Sequence, residues 1–215
     1  MHQLVFLLDV DNTLLDNDAV LADLKQHLLD AFGPDRERRY WDIFEARRRE
    51  LGYADYLGAL QRYRIEHPRD PQLLRVSLYL LHYPFANRLF PGALGAIAAC
   101  QRRGPAVILT DGDVVFQPRK VERSGLLDAV HGEALIYIHK EQMLGDVEQR
   151  YPAQQYVVVD DKIRLLTAIK KVWGARCTTV FVRQGHYAHD ALLVASYPKP
   201  DVSVERIGDL LDANV

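Results

Sequence analysis

The chain has 215 residues, enough for one sizeable hydrophobic core and a smaller module beside it. Its 48% hydrophobic and 26% charged residues and its net charge of −2 are typical of a soluble globular protein, so the sequence indicates neither a nucleic-acid partner nor a membrane surface. No apolar run approaches the ~20 residues of a membrane span, and the acidic Asp9 interrupts the basic-then-apolar pattern that a signal peptide would have at the N-terminus. We therefore expect a cytoplasmic protein, either a monomer or a homodimer.

Five short runs rich in β-branched residues predict the strands of a sheet. In chain order they are "LVFLLD" (4–9), "AVILTD" (106–111), "ALIYIH" (134–139), "YVVVDD" (156–161) and "TTVFVR" (178–183). They are apolar almost throughout rather than alternating, as strands covered on both faces are, and helical segments separate the last four. This pattern predicts an α/β fold with a Rossmann-like parallel sheet and crossover helices.

A different kind of segment separates the first two predicted strands. It contains four stretches with apolar residues at helical spacing, punctuated by Gly and Pro, and nothing typical of a strand. We therefore predict a helical cap domain over residues 16–87, inserted into a core domain that consists of residues 1–15 and 88–215.

Acidic residues close three of the five predicted strands: Asp9 with Asp11 just beyond it, Asp111, and the pair Asp160 and Asp161. Because the carboxyl ends of parallel strands open onto one crevice, we expect these side chains to converge. Several carboxylates cannot share a small volume while all are ionised, unless a cation lies among them. Oxygen ligands without His or Cys select a hard ion, so the predicted cofactor is Mg²⁺.

Four short motifs carry a resemblance to a known family. They are "DVDNT" after the first strand, "VILTDG" near the middle of the chain, the lysine of "HKEQ", and "VVVDD" in the last third. In this order they resemble the four motifs of the haloacid dehalogenase-like (HAD) hydrolase superfamily. The helical insertion after the first motif is similar to the cap of its phosphoglycolate phosphatase and β-phosphoglucomutase-like members.

The resemblance implies a role for each matching residue. Asp9 would be the nucleophile that attacks phosphorus and forms an aspartyl-phosphate, and Asp11 would be the general acid and then the general base. Thr110 would hydrogen-bond a phosphoryl oxygen, assisted by backbone N–H groups around Asp111 and Gly112.

The remaining implied roles concern charge. Lys140 would neutralise charge on the phosphate and on the nucleophile. Mg²⁺ would be held by Asp9, the backbone carbonyl of Asp11 and a carboxylate of the pair Asp160 and Asp161. Alignment to the preceding apolar run favours Asp161 as the direct ligand, but the spacing leaves Asp160 open.

Two lysines compete for the third motif. Lys140 ends a predicted strand and can point into the crevice. Lys120 belongs to a predicted helix whose Val121 and Leu126 face inward, so we expect its ammonium in water. Accordingly, Lys140→Ala is expected to lose most turnover and Lys120→Ala to keep it.

Two further features lie outside the motifs. Leu165 occupies the place where family members often carry another Asp, and we expect the acidic pair before it to make that loss tolerable. "RQGHYAHD" (183–190) lacks metal-ligand partners and is expected to be a surface loop near the crevice.

The function implied by this resemblance is that of an Mg²⁺-dependent phosphatase that hydrolyses a small phosphorylated metabolite through an aspartyl-phosphate on Asp9. Asp11 separates the chain from the dehalogenating members, which lack an acid at that position. The alternatives are a phosphotransferase or mutase with the same intermediate, and an inactive scaffold that binds phosphate compounds or a protein. The sequence does not identify the substrate.

Overall fold

The computed structural model describes residues 1–211 and contains a six-stranded sheet in the order β3-β2-β1-β4-β5-β6. All neighbouring strands are parallel. The strands are β1 (His2–Leu8), β2 (Ala106–Asp111), β3 (Ala134–Tyr137), β4 (Ala153–Asp160), β5 (Cys177–Val182) and β6 (Val202–Val204). The predicted α/β parallel-sheet fold is confirmed, with the ends of β2, β1 and β4 side by side.

The sequence prediction omits strand β6, which pairs with β5 at one edge of the sheet. Its three residues, "VSV", are too few to show a strand periodicity. Its place therefore depends on tertiary pairing rather than on a local pattern.

Eleven α-helices occur within residues 1–211, and none of them is long and apolar enough to cross a membrane. They are α1 (Asn17–Phe32), α2 (Pro34–Leu51), α3 (Tyr56–Glu66), α4 (Leu73–His82), α5 (Ala93–Gln101), α6 (Phe116–Arg123), α7 (Leu126–Ala129), α8 (Leu144–Arg150), α9 (Ile163–Trp173), α10 (Gly185–His189) and α11 (Ala191–Ala195). The segment predicted as the loop 183–190 thus contains a short helix, α10.

Apolar layers cover both faces of the sheet. Leu7 belongs to a buried cluster with Ile169 of α9, whereas Leu8 belongs to a second cluster with Ile97 of α5 and Val121 of α6. Because neighbouring residues of a strand point to opposite faces, both must be apolar when both faces are covered. This explains the continuous apolar runs in the sequence.

Helices α1 to α4 follow one another between β1 and β2, as the sequence predicts. Their ends carry local signals: the side chains of Asp16 and Asp55 cap α1 and α3 by accepting backbone N–H groups at 2.9 and 2.8 Å. Gly52 ends α2 in a left-handed conformation, with φ of 80°.

The insertion joins the sheet domain through two adjacent chain crossings. The Phe90 N–H donates to the Leu14 carbonyl at 3.0 Å, so the outgoing and returning segments pair with each other. The apolar interior of the insertion is continuous with the layer beneath it, because the ring of Tyr56 lies 4.8 Å from that of Phe116 in α6. The division of the chain into two domains stays a prediction.

Candidate active site

A crevice of about 730 Å³ lies between the carboxyl ends of the strands and the helical insertion. Asp11 and Asp111 line it from the sheet side, and Trp41, Phe44 and Tyr56 line it from α2 and α3. The strand ends of an open parallel sheet are the usual position of ligand sites, and this crevice has that position.

Three of the strand-end carboxylates come together beside this crevice. Ligand oxygens of Asp9, Asp160 and Asp161 lie within 4.8 Å of one another, and all three residues are buried. Burial raises the pKa of both Asp160 and Asp161, and the negative charge of Asp9 raises each further. The convergence expected from the strand ends is therefore observed for these three residues.

Several oxygens in this cluster are buried without a hydrogen-bond partner: Oδ2 of Asp9, Oδ2 of Asp160 and both carboxylate oxygens of Asp161. An orphaned buried carboxylate oxygen is costly unless a cation or a donor satisfies it. An all-oxygen donor set of this kind fits Mg²⁺. The residues present thus fit the cofactor predicted from the sequence.

Asp160 and Asp161 are not equivalent, which the sequence spacing leaves open. Asp160 is already engaged, because one oxygen accepts the Lys162 N–H at 2.7 Å and the other lies 2.6 Å from the Lys140 ammonium. Asp161 has both oxygens free of protein donors. This arrangement favours Asp161 as a direct metal ligand and Asp160 as the group that holds Lys140.

Lys140 lies in the buried centre of the site. Its Nζ donates to Oδ1 of Asp9 at 2.6 Å and to the Leu109 carbonyl at 3.1 Å, and it forms an ion pair with Asp160 at 2.6 Å. Burial alone would lower the pKa of Lys140, but the carboxylates of Asp160, Asp9 and Asp111 raise it well above its ordinary value. Lys140 is therefore a fixed cation that contacts the predicted nucleophile.

Lys120 is buried, and the prediction that its ammonium faces water is wrong. Its Nζ lies 2.6 Å from Oδ1 of Asp11 and 2.9 Å from Oδ1 of Asn17, with 1% of the residue exposed. The helix α6 places Lys120 one turn after Phe116 and beside Val121, so all three share its inward stripe. The two lysines thus do not compete for one position, since each contacts a different aspartate, and the expectation that Lys120→Ala keeps turnover loses its basis.

Thr110 and Gln117 form a second polar contact at the end of β2. The Gln117 amide donates to the Thr110 hydroxyl at 3.0 Å and lies 3.4 Å from Oδ2 of Asp11. Gln117 is buried, and no sequence motif points to it. Its i,i+3 spacing to Lys120 on α6 is the signal that could identify both residues as inward-facing.

Gly112 continues the pairing of β2 with β3. Its N–H donates to the Tyr137 carbonyl at 2.8 Å, and the role of the backbone N–H groups around Asp111 and Gly112 toward a phosphoryl oxygen stays a prediction. Its contribution is steric, because a Cβ at this position would overlap the side chain of Gln117. Gly112 thereby allows α6 to approach the end of β2.

Asp111 accepts the backbone N–H of Lys140 at 2.7 Å. Burial raises the pKa of Asp111 to about 6, against the opposing charge of Lys140. This hydrogen bond fixes the loop that carries Lys140 against the end of β2, so Asp111 supports the site through another residue.

Asn12 connects the first motif to the insertion and to α10. Its φ of 62° is left-handed, and its Oδ1 accepts the N–H groups of Asn17 and Asp18 at 3.0 and 3.1 Å. Asp18 in turn accepts the backbone N–H of His186 at 2.8 Å. His186, which the sequence leaves without an assigned partner, therefore lies beside the start of α1.

Gly185 provides a test of the close packing between the start of α10 and the Asn12 side chain. We expect Gly185→Ala to destabilise the fold by about 3 kcal/mol, because its φ of 69° is left-handed and a Cβ would also overlap the Asn12 side chain. Gly132→Ala is the matched control: its φ is 84°, but its Cβ would have no neighbour within 4 Å, so only about 1 kcal/mol should be lost. Urea unfolding measures both values, and equal losses would contradict the packing described here.

Lys162 is a further cation that the motifs do not identify. It directly follows Asp161 and lines the crevice. Its Nζ lies 5.5 Å from the ring centroid of Tyr187. Burial would lower the pKa of Lys162, but the charges of Asp9, Asp161 and Asp160 raise it well above its ordinary value. The acidic cluster is thus flanked by two ammonium groups, from Lys140 and Lys162.

Comparison with known families identifies a match over most of the chain. A family model described as haloacid dehalogenase-like hydrolase matches residues 4–172. The comparison with curated proteins found no match.

Solved structures with a similar fold include one of high sequence identity. A candidate haloacid dehalogenase-like hydrolase from Burkholderia xenovorans LB400 is 62% identical, with a TM-score of 0.94 and 100% of both chains covered. The L-2-haloacid dehalogenase from Xanthobacter autotrophicus is 18% identical, with a TM-score of 0.61 and coverage of 99% of this chain and 98% of that one. A candidate HAD-hydrolase, YfnB from Bacillus subtilis, bound to magnesium, is 16% identical, with a TM-score of 0.61 and coverage of 98% of this chain and 97% of that one.

Proposed function

This chain belongs to the haloacid dehalogenase-like hydrolases, and from that membership we propose that it is an Mg²⁺-dependent phosphatase of small phosphorylated metabolites. The observation that carries the proposal is the pair of carboxylates at the end of β1. Asp9 is buried against Lys140, and Asp11, two residues later, is exposed to the crevice. A nucleophile and a proton donor on one short segment suit phosphoryl transfer to a carboxylate.

In the first half-reaction Asp9 attacks phosphorus through a carboxylate oxygen. The bond from Asp9 to phosphorus forms as the ester P–O bond breaks, and Asp11 supplies the proton that the leaving oxygen takes up. Lys140, which already contacts Oδ1 of Asp9, leaves Oδ2 as the oxygen without a protein donor.

In the second half-reaction water attacks the phosphorus of the aspartyl-phosphate. Asp11 takes the proton of this water, the bond from phosphorus to Asp9 breaks, and inorganic phosphate leaves. Thr110 is placed beside Asp11 through Gln117, where its hydroxyl can hydrogen-bond a phosphoryl oxygen. The cycle returns both carboxylates to their starting states.

The residues that would hold the metal are Asp9, Asp161 and the backbone carbonyl of Asp11, with Asp160 beside them. The unpartnered oxygens of Asp9 and Asp161 support this assignment. When bound, Mg²⁺ would draw negative charge from the transferring phosphoryl group. Asp160 serves instead to position Lys140, through their 2.6 Å contact.

The insertion over residues 16–87 acts in this proposal as a cap over the crevice. Its aromatic residues Trp41, Phe44 and Tyr56 face the crevice opposite Asp11, so the substrate's leaving group would contact them. Closure of such a cap would exclude water until the aspartyl-phosphate has formed. We assign the protein to the cytoplasm, as the sequence leads us to expect.

The metal requirement tests the proposal directly. We expect release of phosphate from a panel of phosphomonoesters to require Mg²⁺, because the clustered carboxylates repel an anionic ester until a divalent cation offsets their charge. The assay measures phosphate release with Mg²⁺ and with excess chelator. Turnover that persists undiminished in chelator would contradict the metal assignment.

A parallel assay separates this function from dehalogenation. A departing halide needs no proton, so Asp11 would have no role in dehalogenation, and under this proposal incubation with 2-haloacids should release no halide. Halide release without phosphate release would instead assign the chain to the dehalogenases. An absence of both products, with Mg²⁺ bound, would favour the scaffold alternative.

A further inference from the structure

The ammonium of Lys120 is a buried charge that the mechanism above does not use. Its contacts are Oδ1 of Asp11 at 2.6 Å, Oδ1 of Asn17 at 2.9 Å, and the Phe116 ring at 5.4 Å from its centroid. A charge buried to this extent is retained only when partners compensate it. Here its charged partner is the predicted acid and base of the reaction.

We propose that Lys120 is the positioning residue for Asp11, an inference that rests on the proposed phosphatase function. In this proposal Lys120 acts through Asp11 rather than on the substrate itself. It holds one oxygen of the Asp11 carboxylate and thereby directs the other oxygen toward the reacting phosphoryl group.

The contacts of Asp11 define which oxygen is held and which reacts. Lys120 binds Oδ1, whereas Oδ2 accepts a long hydrogen bond of 3.4 Å from the Gln117 amide, which also donates to Thr110. Oδ2 is therefore on the side of the residue assigned to the phosphoryl oxygens. The proton passes from Oδ2 to the leaving oxygen as the P–O bond breaks, and a proton of the attacking water returns to Oδ2.

Lys120 is itself fixed by three parts of the chain. It extends from α6, Asn17 belongs to the first turn of α1, and Asp11 follows β1. A side chain held from three elements loses little further entropy when it orients a carboxylate, which is the condition for a preorganised proton donor. The ion pair of Lys120 with Asp11 is also separate from that of Lys140 with Asp9.

The dependence of rate on the leaving group distinguishes positioning from a purely structural role. The leaving group of 4-nitrophenyl phosphate is a weakly basic phenolate, which departs with little help from an acid. The more basic phenolate of phenyl phosphate needs the proton. Misplacement of the Asp11 carboxylate should therefore lower the rate with phenyl phosphate far more than the rate with 4-nitrophenyl phosphate. A general loss of folded protein would reduce both rates equally.

The experiment measures kcat/KM of the Mg²⁺-loaded protein for both esters. We expect Lys120→Met to lower kcat/KM for phenyl phosphate about a hundredfold and for 4-nitrophenyl phosphate less than about tenfold. Lys120→Arg should restore the wild-type ratio of the two esters to within about threefold, because it keeps the charge. Lys171→Met, on the exposed side of α9, is the control that should change neither value.

Equal losses on both esters, or no loss on either, would overturn the proposal. Lys120→Gln provides a second neutral variant if Lys120→Met fails to fold by circular dichroism. A crystal structure of the folded neutral variant gives a readout that needs no turnover: the Asp11 carboxylate should leave its present orientation, and an unchanged carboxylate would also overturn the proposal. If the wild-type protein hydrolyses neither ester, the phosphatase proposal fails. The crystal structure of the neutral variant then still decides whether Lys120 positions the Asp11 carboxylate.

Discussion

Asp9→Asn is expected to lower phosphate release by about four to six orders of magnitude, the size of loss seen when a covalent nucleophile is removed. The asparagine has nearly the same shape and can still accept the 2.6 Å hydrogen bond from Lys140, so the fold should persist. Its amide, however, cannot form a stable bond to phosphorus. The change thus removes the nucleophile and leaves its surroundings almost intact.

The measurement combines steady-state phosphate release with detection of the intermediate. Acid-quenched wild-type protein should carry a phosphoryl group on the peptide that contains Asp9, detected by mass spectrometry, and Asp9→Asn should not. Asp30→Asn, an exposed position on α1, controls for handling and should match the wild type. A rate of Asp9→Asn within tenfold of the wild-type rate would refute the role of Asp9 as nucleophile.

Lys140→Ala should lower the rate by about a hundredfold, because a buried cation that offsets transition-state charge contributes about 3 kcal/mol. The same change leaves Asp9 and Asp160 without their shared countercharge in a site of 0–2% exposure. Removing one partner of a buried ion pair costs about 3–5 kcal/mol of stability. We therefore expect both a slower and a less stable protein.

Mg²⁺ separates the two effects of Lys140→Ala. In excess chelator the variant should unfold at a lower temperature than the wild type, and saturating Mg²⁺ should recover part of this loss because a bound cation stabilises the folded state. The rate, in contrast, should stay low at saturating Mg²⁺. Lys171→Ala is the surface control, and wild-type turnover in Lys140→Ala would show that the third motif lies elsewhere.

The acidic strand ends and Lys140 could be predicted from the sequence, because each is fixed by its position in the chain. A parallel strand that is covered on both faces has an apolar run, and the residue after that run must emerge at the carboxyl edge of the sheet. Asp9, Asp160 and Asp161 all have this position, and they converge in the structure. The four helices of the insertion likewise follow from local apolar spacing.

The tertiary structure alone decided the partners of the two lysines and the difference between the two neighbouring aspartates. A lysine side chain is by its chemistry suited to water, but the helix face of α6 that buries Val121 also buries Lys120, whose ammonium contacts Asp11 and Asn17. Asp160 and Asp161 are identical in type and adjacent in sequence. Successive residues at a strand end point in different directions, so the Lys162 N–H and the Lys140 ammonium both contact Asp160, whereas Asp161 keeps both oxygens free of protein donors. Such pairings depend on distances between elements far apart in the chain, and no local pattern of residues encodes those distances.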